Sequence, residues 1–135
     1  MKNIYKVGGI ILKDRKIIVC RPTKHEYFTA PGGRIEKNET PKQALIRELK
    51  EELNIKVNQD ELEMFGTFSA TAVAENDKVI KMVVYIVKRW KGEISPKNEI
   101  KEIAWINSKH PENMKVGSIF EHKVIPRLKR LNLID

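Results

Sequence analysis

Gly33-Arg34-Ile35-Glu36-Lys37-Asn38-Glu39 and, after seven intervening residues, Arg47-Glu48-Leu49-Lys50-Glu51-Glu52-Leu53-Asn54-Ile55 decide the fold. The second stretch closes a helix predicted over residues 40–53. Thr40 is a natural N-cap, Pro41 fits the first helical position, and Gln43 completes a capping box. At roughly 100° per residue, Glu48, Glu51 and Glu52 share an arc of about 100°. Leu45, Ile46, Leu49 and Leu53 fill the adjoining arc and must face the core. Arg47, Lys50 and Gln43 lie on the far side. The carboxylates therefore flank the buried stripe. Ala44 falls among them, where a small side chain leaves room for a bound group.

Three like charges in one arc repel, by a few tenths of a kcal/mol for each exposed pair one turn apart and by more where burial removes water. A divalent cation removes the conflict, because Mg²⁺ and Mn²⁺ favour carboxylate oxygens. A solvated glutamate face would carry the same residues, so the helix alone does not decide.

Outward from this helix, residues 7–12 and 17–20 are apolar runs around the polar turn Lys13-Asp14-Arg15-Lys16, which predicts a β-hairpin. Pro31-Gly32-Gly33 punctuates an extended piece at 29–36. Residues 64–74, 79–90 and 103–106 read as strands. Residues 122–131 read as a closing helix with Ile125, Leu128 and Leu131 on its inner side. Strands and helices mixed in this order predict an α/β or α+β layered fold.

The chain has 135 residues, 41% of them hydrophobic, enough for one domain over residues 1–135 with its own core. A single Cys20 inside an apolar run excludes an internal disulfide and argues against zinc; a buried thiol is expected. No stretch approaches the roughly 20 apolar residues of a membrane span. The first residues lack a cleavable leader's pattern, so a cytoplasmic location is expected. The net charge of +8 draws polyanions. The basic residues are scattered, however, apart from Lys123, Arg127, Lys129 and Arg130. Without aromatic residues interleaved among them they read as a soluble surface rather than a nucleic-acid face.

The longer pattern, a glycine, Glu39 and Arg47-Glu48-x-x-Glu51-Glu52 at fixed spacing, resembles the Nudix box. Chance would give its matched positions on the order of once in 10⁸ starts. Asn54 departs from it, standing where a glycine usually ends the helix, but asparagine also tolerates a left-handed terminus. The resemblance is tight over 31–55 and looser elsewhere, and implies an α/β/α sandwich around a mixed sheet. It implies that Glu48, Glu51 and Glu52 bind Mg²⁺, or Mn²⁺, with the Gly32 carbonyl as a further ligand. It also implies that Gly33 is the box glycine and that Arg47 and Glu39 form a structural clamp off the metal-facing arc. A distant loop carboxylate is expected as metal ligand or base: Glu102 first, Glu99 second. Arg21 and Arg34 could hold phosphate oxygens as planar forks, with Lys24 a weaker candidate.

Within the family the chain is most similar to MutT-like nucleoside triphosphate pyrophosphatases, on the run 31–36, the segment Arg89-Trp90-Lys91-Gly92-Glu93 and the closing Leu128-Lys129-Arg130-Leu131. That implies release of pyrophosphate from a (d)NTP. In oxidised-guanine specialists an asparagine just before the last helix reads the base. Glu121 falls there, and it lacks the amide's paired donor and acceptor. Phe28 is the candidate for stacking on a base, with Phe68 and Tyr85 behind it; aromatic residues at such positions are more often core. Dinucleoside polyphosphates, nucleotide sugars and RNA 5′ ends remain alternative substrates, for a monomer or a homodimer. A non-catalytic binding module is the remote alternative, since such modules lose box carboxylates and none is lost here.

Overall fold

A computed structural model describes residues 2–72 and 75–135. In chain order it has strands β1 (Lys2–Ile10), β2 (Leu12–Lys13), β3 (Lys16–Pro22) and β4 (Gly32–Arg34), then helix α1 (Pro41–Leu53). Strands β5 (Leu62–Ala72), β6 (Glu75–Val87) and β7 (Ile100–Ile106) follow, and helix α2 (Ile125–Arg130) comes last. One sheet has the order β4-β1-β6-β5 and a smaller one the order β2-β3-β7. The first is mixed: β1 runs parallel to β6 and antiparallel to β4.

Alternation along the strands sends neighbouring residues to opposite faces, and both faces are covered. Val7, Ile18 and Cys20 pack with Leu45, Leu49 and Leu53 of α1. Ile10, Ile17 and Val19 pack with Phe120, Val124 and Leu128 at the end of the chain. The three leucines of α1 are fully buried, each contributing roughly 2 kcal/mol of apolar burial. This is the expected α/β/α sandwich, and Cys20 is a buried free thiol. Ala44 is fully buried as well. It packs into the core beside Leu45 and leaves no room for a ligand, contrary to expectation.

The ends of α1 follow the local chemistry. Thr40 and Gln43 exchange capping-box bonds of 3.1 and 2.9 Å. Asn54 is left-handed at φ 60, ψ 33, its N–H reaching back to Leu49 and Lys50.

Elsewhere the boundaries move. The hairpin shrinks to Leu12-Lys13 against Lys16-Ile17 around Asp14 and Arg15, both at positive φ. Residues 7–10 leave it to pair with β6. A strand buried on both faces has no alternation to reveal its partner. β6 begins earlier and ends earlier than the predicted 79–90. Strand β5 covers most of 64–74, and positions 73 and 74 lie outside the described residues. The closing helical stretch begins at 118 rather than 122. It opens as a wide π turn over Phe120–Val124, in which the Ile125 N–H bonds five residues back to the Phe120 carbonyl. Pro126 follows directly and has no N–H to give, which favours such a bulge. Leu131 lies past the end of α2 and is exposed rather than inward.

Candidate active site

Two glycines let helix, loop and strand approach. Gly32 has φ +144, and a Cβ there would lie 2.0 Å from the Val7 carbonyl oxygen. A Cβ on Gly33 would lie 2.8 Å from the Glu48 carboxylate. Only glycine fits at position 32, where the clash is with backbone, whereas a Cβ at 33 would require the Glu48 carboxylate to move.

Against this bend sits the acidic end of α1. Glu52 is buried, and its Oε1 accepts a hydrogen bond from the Gly32 N–H at 2.8 Å. Burial pushes its pKa up to about 8; the Gly32 N–H opposes this, and the charges of Glu48, Glu99 and Glu51 add to it. The half-buried Glu48 is raised too, by burial first, against the pull of Arg47. The Glu51 side chain faces solvent at 51% exposure.

Arg47 grips Glu39 with two bonds of 2.7 and 2.9 Å and donates to the Arg34 carbonyl at 3.2 Å. Glu39 also accepts from the Glu36 N–H. The clamp thus ties the loop before the helix to the helix itself. Arg47 is not confined to the far side: its Nη1 reaches Glu48 at 2.8 Å, since the long side chain folds back along the helix.

Among the described residues no three His, Cys, Asp or Glu side chains converge as a ready-made cation cage. Glu48 turns to Arg47 and Glu52 to Gly32, while the half-exposed Glu51 lies 3.7 Å from Arg47 Nη1. The donor set nevertheless fits a hard divalent cation: every side-chain donor is a carboxylate oxygen, and a buried carboxylate among like charges gains from a positive partner.

The model of the NUDIX domain matches residues 2–128. The chain belongs to the Nudix family. It is 35% identical over 101 residues to an 8-oxo-dGTP diphosphatase of Proteus vulgaris, covering 71% of this chain and 86% of that one. It is 33% identical over 101 residues to an ADP-ribose pyrophosphatase of Methanocaldococcus jannaschii, covering 71% and 57%. A crystal structure of a MutT protein from Methanosarcina mazei shares the fold at a TM-score of 0.78 and 19% identity, covering 97% of this chain and 96% of that one. The chain is a MutT-like Nudix hydrolase acting on phosphorus-containing anhydrides. No helix among its described residues is long and apolar enough to cross a membrane.

In this Nudix hydrolase the other singled-out residues scatter. Glu102 accepts from Arg21 Nε at 2.6 Å, across the in-register pair that joins β3 to β7. Each thus occupies the other. The loop carboxylate whose charge acts on Glu48 and Glu52 is Glu99. Its loop is pinned to the end of α1: Asn98 Nδ2 donates to the Glu51 carbonyl at 2.7 Å, and the Lys97 N–H to the Glu52 carbonyl at 3.0 Å. Asn98 is left-handed at φ 53. The one sequence cue for this pin was an asparagine suited to that conformation.

A cleft of about 490 Å³ opens on the face of β1 away from α1, with Arg34 in its wall. Phe28 does not line it. Its ring is core, as are those of Phe68 and Tyr85, and the neighbouring Tyr27 lines the cleft instead. Adjacent residues of an extended segment point opposite ways. Glu121 sits within the closing helical stretch and bonds to His110 Nε2 at 2.7 Å. The residues of that segment lining the cleft are Gly117 to Phe120, because the helix starts earlier than its periodicity indicated.

Proposed function

We propose that this Nudix hydrolase cleaves the diphosphate linkage of a nucleoside diphosphate-X compound with Mg²⁺, Mn²⁺ serving as a substitute, and that a (d)NTP is its main substrate, giving (d)NMP and pyrophosphate. The observation that carries the reading is Glu52: a buried carboxylate on the Gly32–Gly33 bend, its pKa raised to about 8 among three further carboxylates. Such a group is costly alone and stable beside a dication.

Glu48, Glu51 and Glu52, with the Gly32 carbonyl, hold the cation. Freeing Glu48 from Arg47 is a side-chain rotation, and the Glu39 clamp keeps Arg47 in place meanwhile. A dication held by these oxygens would supply charge neutralisation and orientation of the diphosphate. Glu99, rather than Glu102, is the loop carboxylate that accepts the proton of the attacking water. Arg21 is engaged by Glu102, which leaves Arg34, on the cleft side of β4, as the arginine available to a phosphate.

The 8-oxo-dGTP diphosphatase relative supports a nucleoside triphosphate. The ADP-ribose pyrophosphatase relative, and a cleft lined among the described residues by no side-chain amide to read a base, favour a second reading in which X is another nucleotide or a sugar. Product masses decide. Pyrophosphate plus monophosphate from a nucleotide panel with Mg²⁺ supports the first reading, two phosphorylated halves the second, and no cleavage of any member defeats both.

A further inference from the structure

The cleft carries charge that this chemistry leaves unused. Lys6 stands in its floor, half-buried, with Ile4 beside it on β1 and Ile80 and Met82 on β6. Arg34 lies directly opposite Lys6 across the β1–β4 pair, and Lys24 and His25 complete the wall. Among the described residues no Asp or Glu lines the cleft. Among the described residues, Lys6, Lys24 and Arg34 have no carboxylate partner. Burial, then Arg34, then Lys24 pull the Lys6 pKa below its usual value. Like charges opposite one another destabilise a strand pair, and burying an ammonium without a partner adds to that cost. An anion entering the cleft relieves both.

The place of Lys6 says which anion. Gly33 on β4 turns toward Glu48, whereas Arg34 turns into the cleft. The edge strand therefore separates the glutamates from the cations. Lys6 lies two residues, about 7 Å, along β1 from Gly8, which pairs with the Gly32 that meets Glu52. Its neighbours Ile4, Ile80, Met82 and Phe120 offer apolar surface to a ring, not to a phosphate chain.

We infer that Lys6, backed by Arg34 and Lys24, is a specificity-determining cation: within the nucleoside diphosphate-X class it favours members that carry an additional phosphate on the nucleoside half, outside the diphosphate that is cleaved, over the plain (d)NTP named above. This rests on the proposed function insofar as the cleft receives that half.

Calorimetry of the full chain without metal tests it with adenosine 5′-monophosphate, adenosine 3′,5′-bisphosphate and ADP. The 3′,5′-bisphosphate binds tighter than the monophosphate by about tenfold or more, the worth of one charge-assisted hydrogen bond, and ADP gains less. Lys6→Met brings bisphosphate and monophosphate together, whereas Lys6→Arg keeps them apart. Equal binding of those two ligands by the native chain overturns the inference. So does an equal gain from ADP, which would assign the cations to the phosphate chain, or a gap that survives Lys6→Met. Because this readout needs no turnover, a failure of the hydrolase reading is recognised separately, by the absence of any cleavage with Mg²⁺.

Discussion

The Glu52 carboxylate and the Gly32 main-chain N–H meet at 2.8 Å, in a place where Glu52 is only 8% exposed. One bond thereby joins the last turn of α1 to the β4 bend. The helix brings the acid and the bend supplies the single donor that makes its burial tolerable. An ionised carboxylate there has one hydrogen bond to offset the loss of water and the repulsion of Glu48, Glu99 and Glu51.

Glu52→Gln therefore separates folding from catalysis. The amide oxygen can still accept from Gly32, and the charge is gone. The variant melts at or above the native temperature in metal-free buffer at pH 8. Pyrophosphate release with Mg²⁺ falls by orders of magnitude, because the cation loses a charged oxygen ligand. Native turnover in this variant would remove Glu52 from the mechanism.

The same residue gives the metal-free protein a pH dependence. Its pKa rises from 4.5 to about 8 on folding, so the folded chain keeps a proton that the unfolded chain releases. This contribution to stability is present below 4.5, declines as pH rises toward about 8, and is flat beyond. Mg²⁺ binding near neutrality consequently expels a proton, and affinity climbs with pH up to about 8. Calorimetry in buffers of different ionisation enthalpy reads the proton directly. Metal binding without proton release at neutral pH would contradict the assignment.

Much of this was legible in the sequence and some was not, for physical reasons. Helix α1 was readable because its cap, its apolar stripe and its Asn54 terminus are local features. The mixed order of elements gave a layered α/β or α+β fold and the family resemblance gave the sandwich, but neither gave the pairing of β1 with β6, since a doubly buried strand has no polar face to set its partner. Spacing placed Glu48, Glu51 and Glu52 on one arc. It could not foresee that Arg21 and Glu102 would fall in register across β3 and β7, nor that Asn98 would fasten Glu99 near the acidic end. Both depend on contacts between residues dozens of positions apart. Phe28 packs in the core while Tyr27 lines the cleft, because adjacent residues alternate, and which of the two faces inward is settled by packing alone.

The Arg47 clamp predicts acid sensitivity. The Arg47 hydrogen bonds, then the Glu36 N–H, hold the Glu39 pKa down at about 2 against an ordinary 4.5. The clamp's contribution is therefore complete above 4.5 and is lost as pH falls from there toward 2. Glu39→Gln lowers the melting temperature at neutral pH and flattens its fall in acid. Arg47→Lys does much the same, because an ammonium cannot form the fork. Should Glu39→Gln melt normally yet lose Mg²⁺ affinity, Glu39 would belong with the ligands instead.

His110 and Glu121 give the opposite slope. Burial pulls the His110 pKa down, but its bonds to Glu121 and to the Pro111 carbonyl, with the charge of Glu121, carry it above 6.5. The pair therefore stabilises the fold fully below 6.5, and its contribution disappears as pH rises through the folded value. A melting-temperature series shows this loss in the native chain but not in Glu121→Gln. Parallel curves for the two proteins would mean that the bond contributes nothing.

The choice between Glu99 and Glu102 can be made by a pair of single variants. Glu102 is held at 2.6 Å by Arg21, so Glu102→Gln should act through the β3–β7 pair: a modest loss of stability, up to about 1 kcal/mol for a pair this exposed, with kcat largely kept. Glu99 has no such partner in its own loop, while its charge falls on Glu48 and Glu52. Glu99→Gln should lower kcat by about 10² or more and, by removing a like charge, bring the metal-free Glu52 pKa down. An NMR titration of Glu52 in the variant tests the second effect without any substrate. If kcat instead collapses in Glu102→Gln and survives in Glu99→Gln, then Arg21 must release Glu102 when substrate arrives, and the ion pair is a resting state rather than a strut.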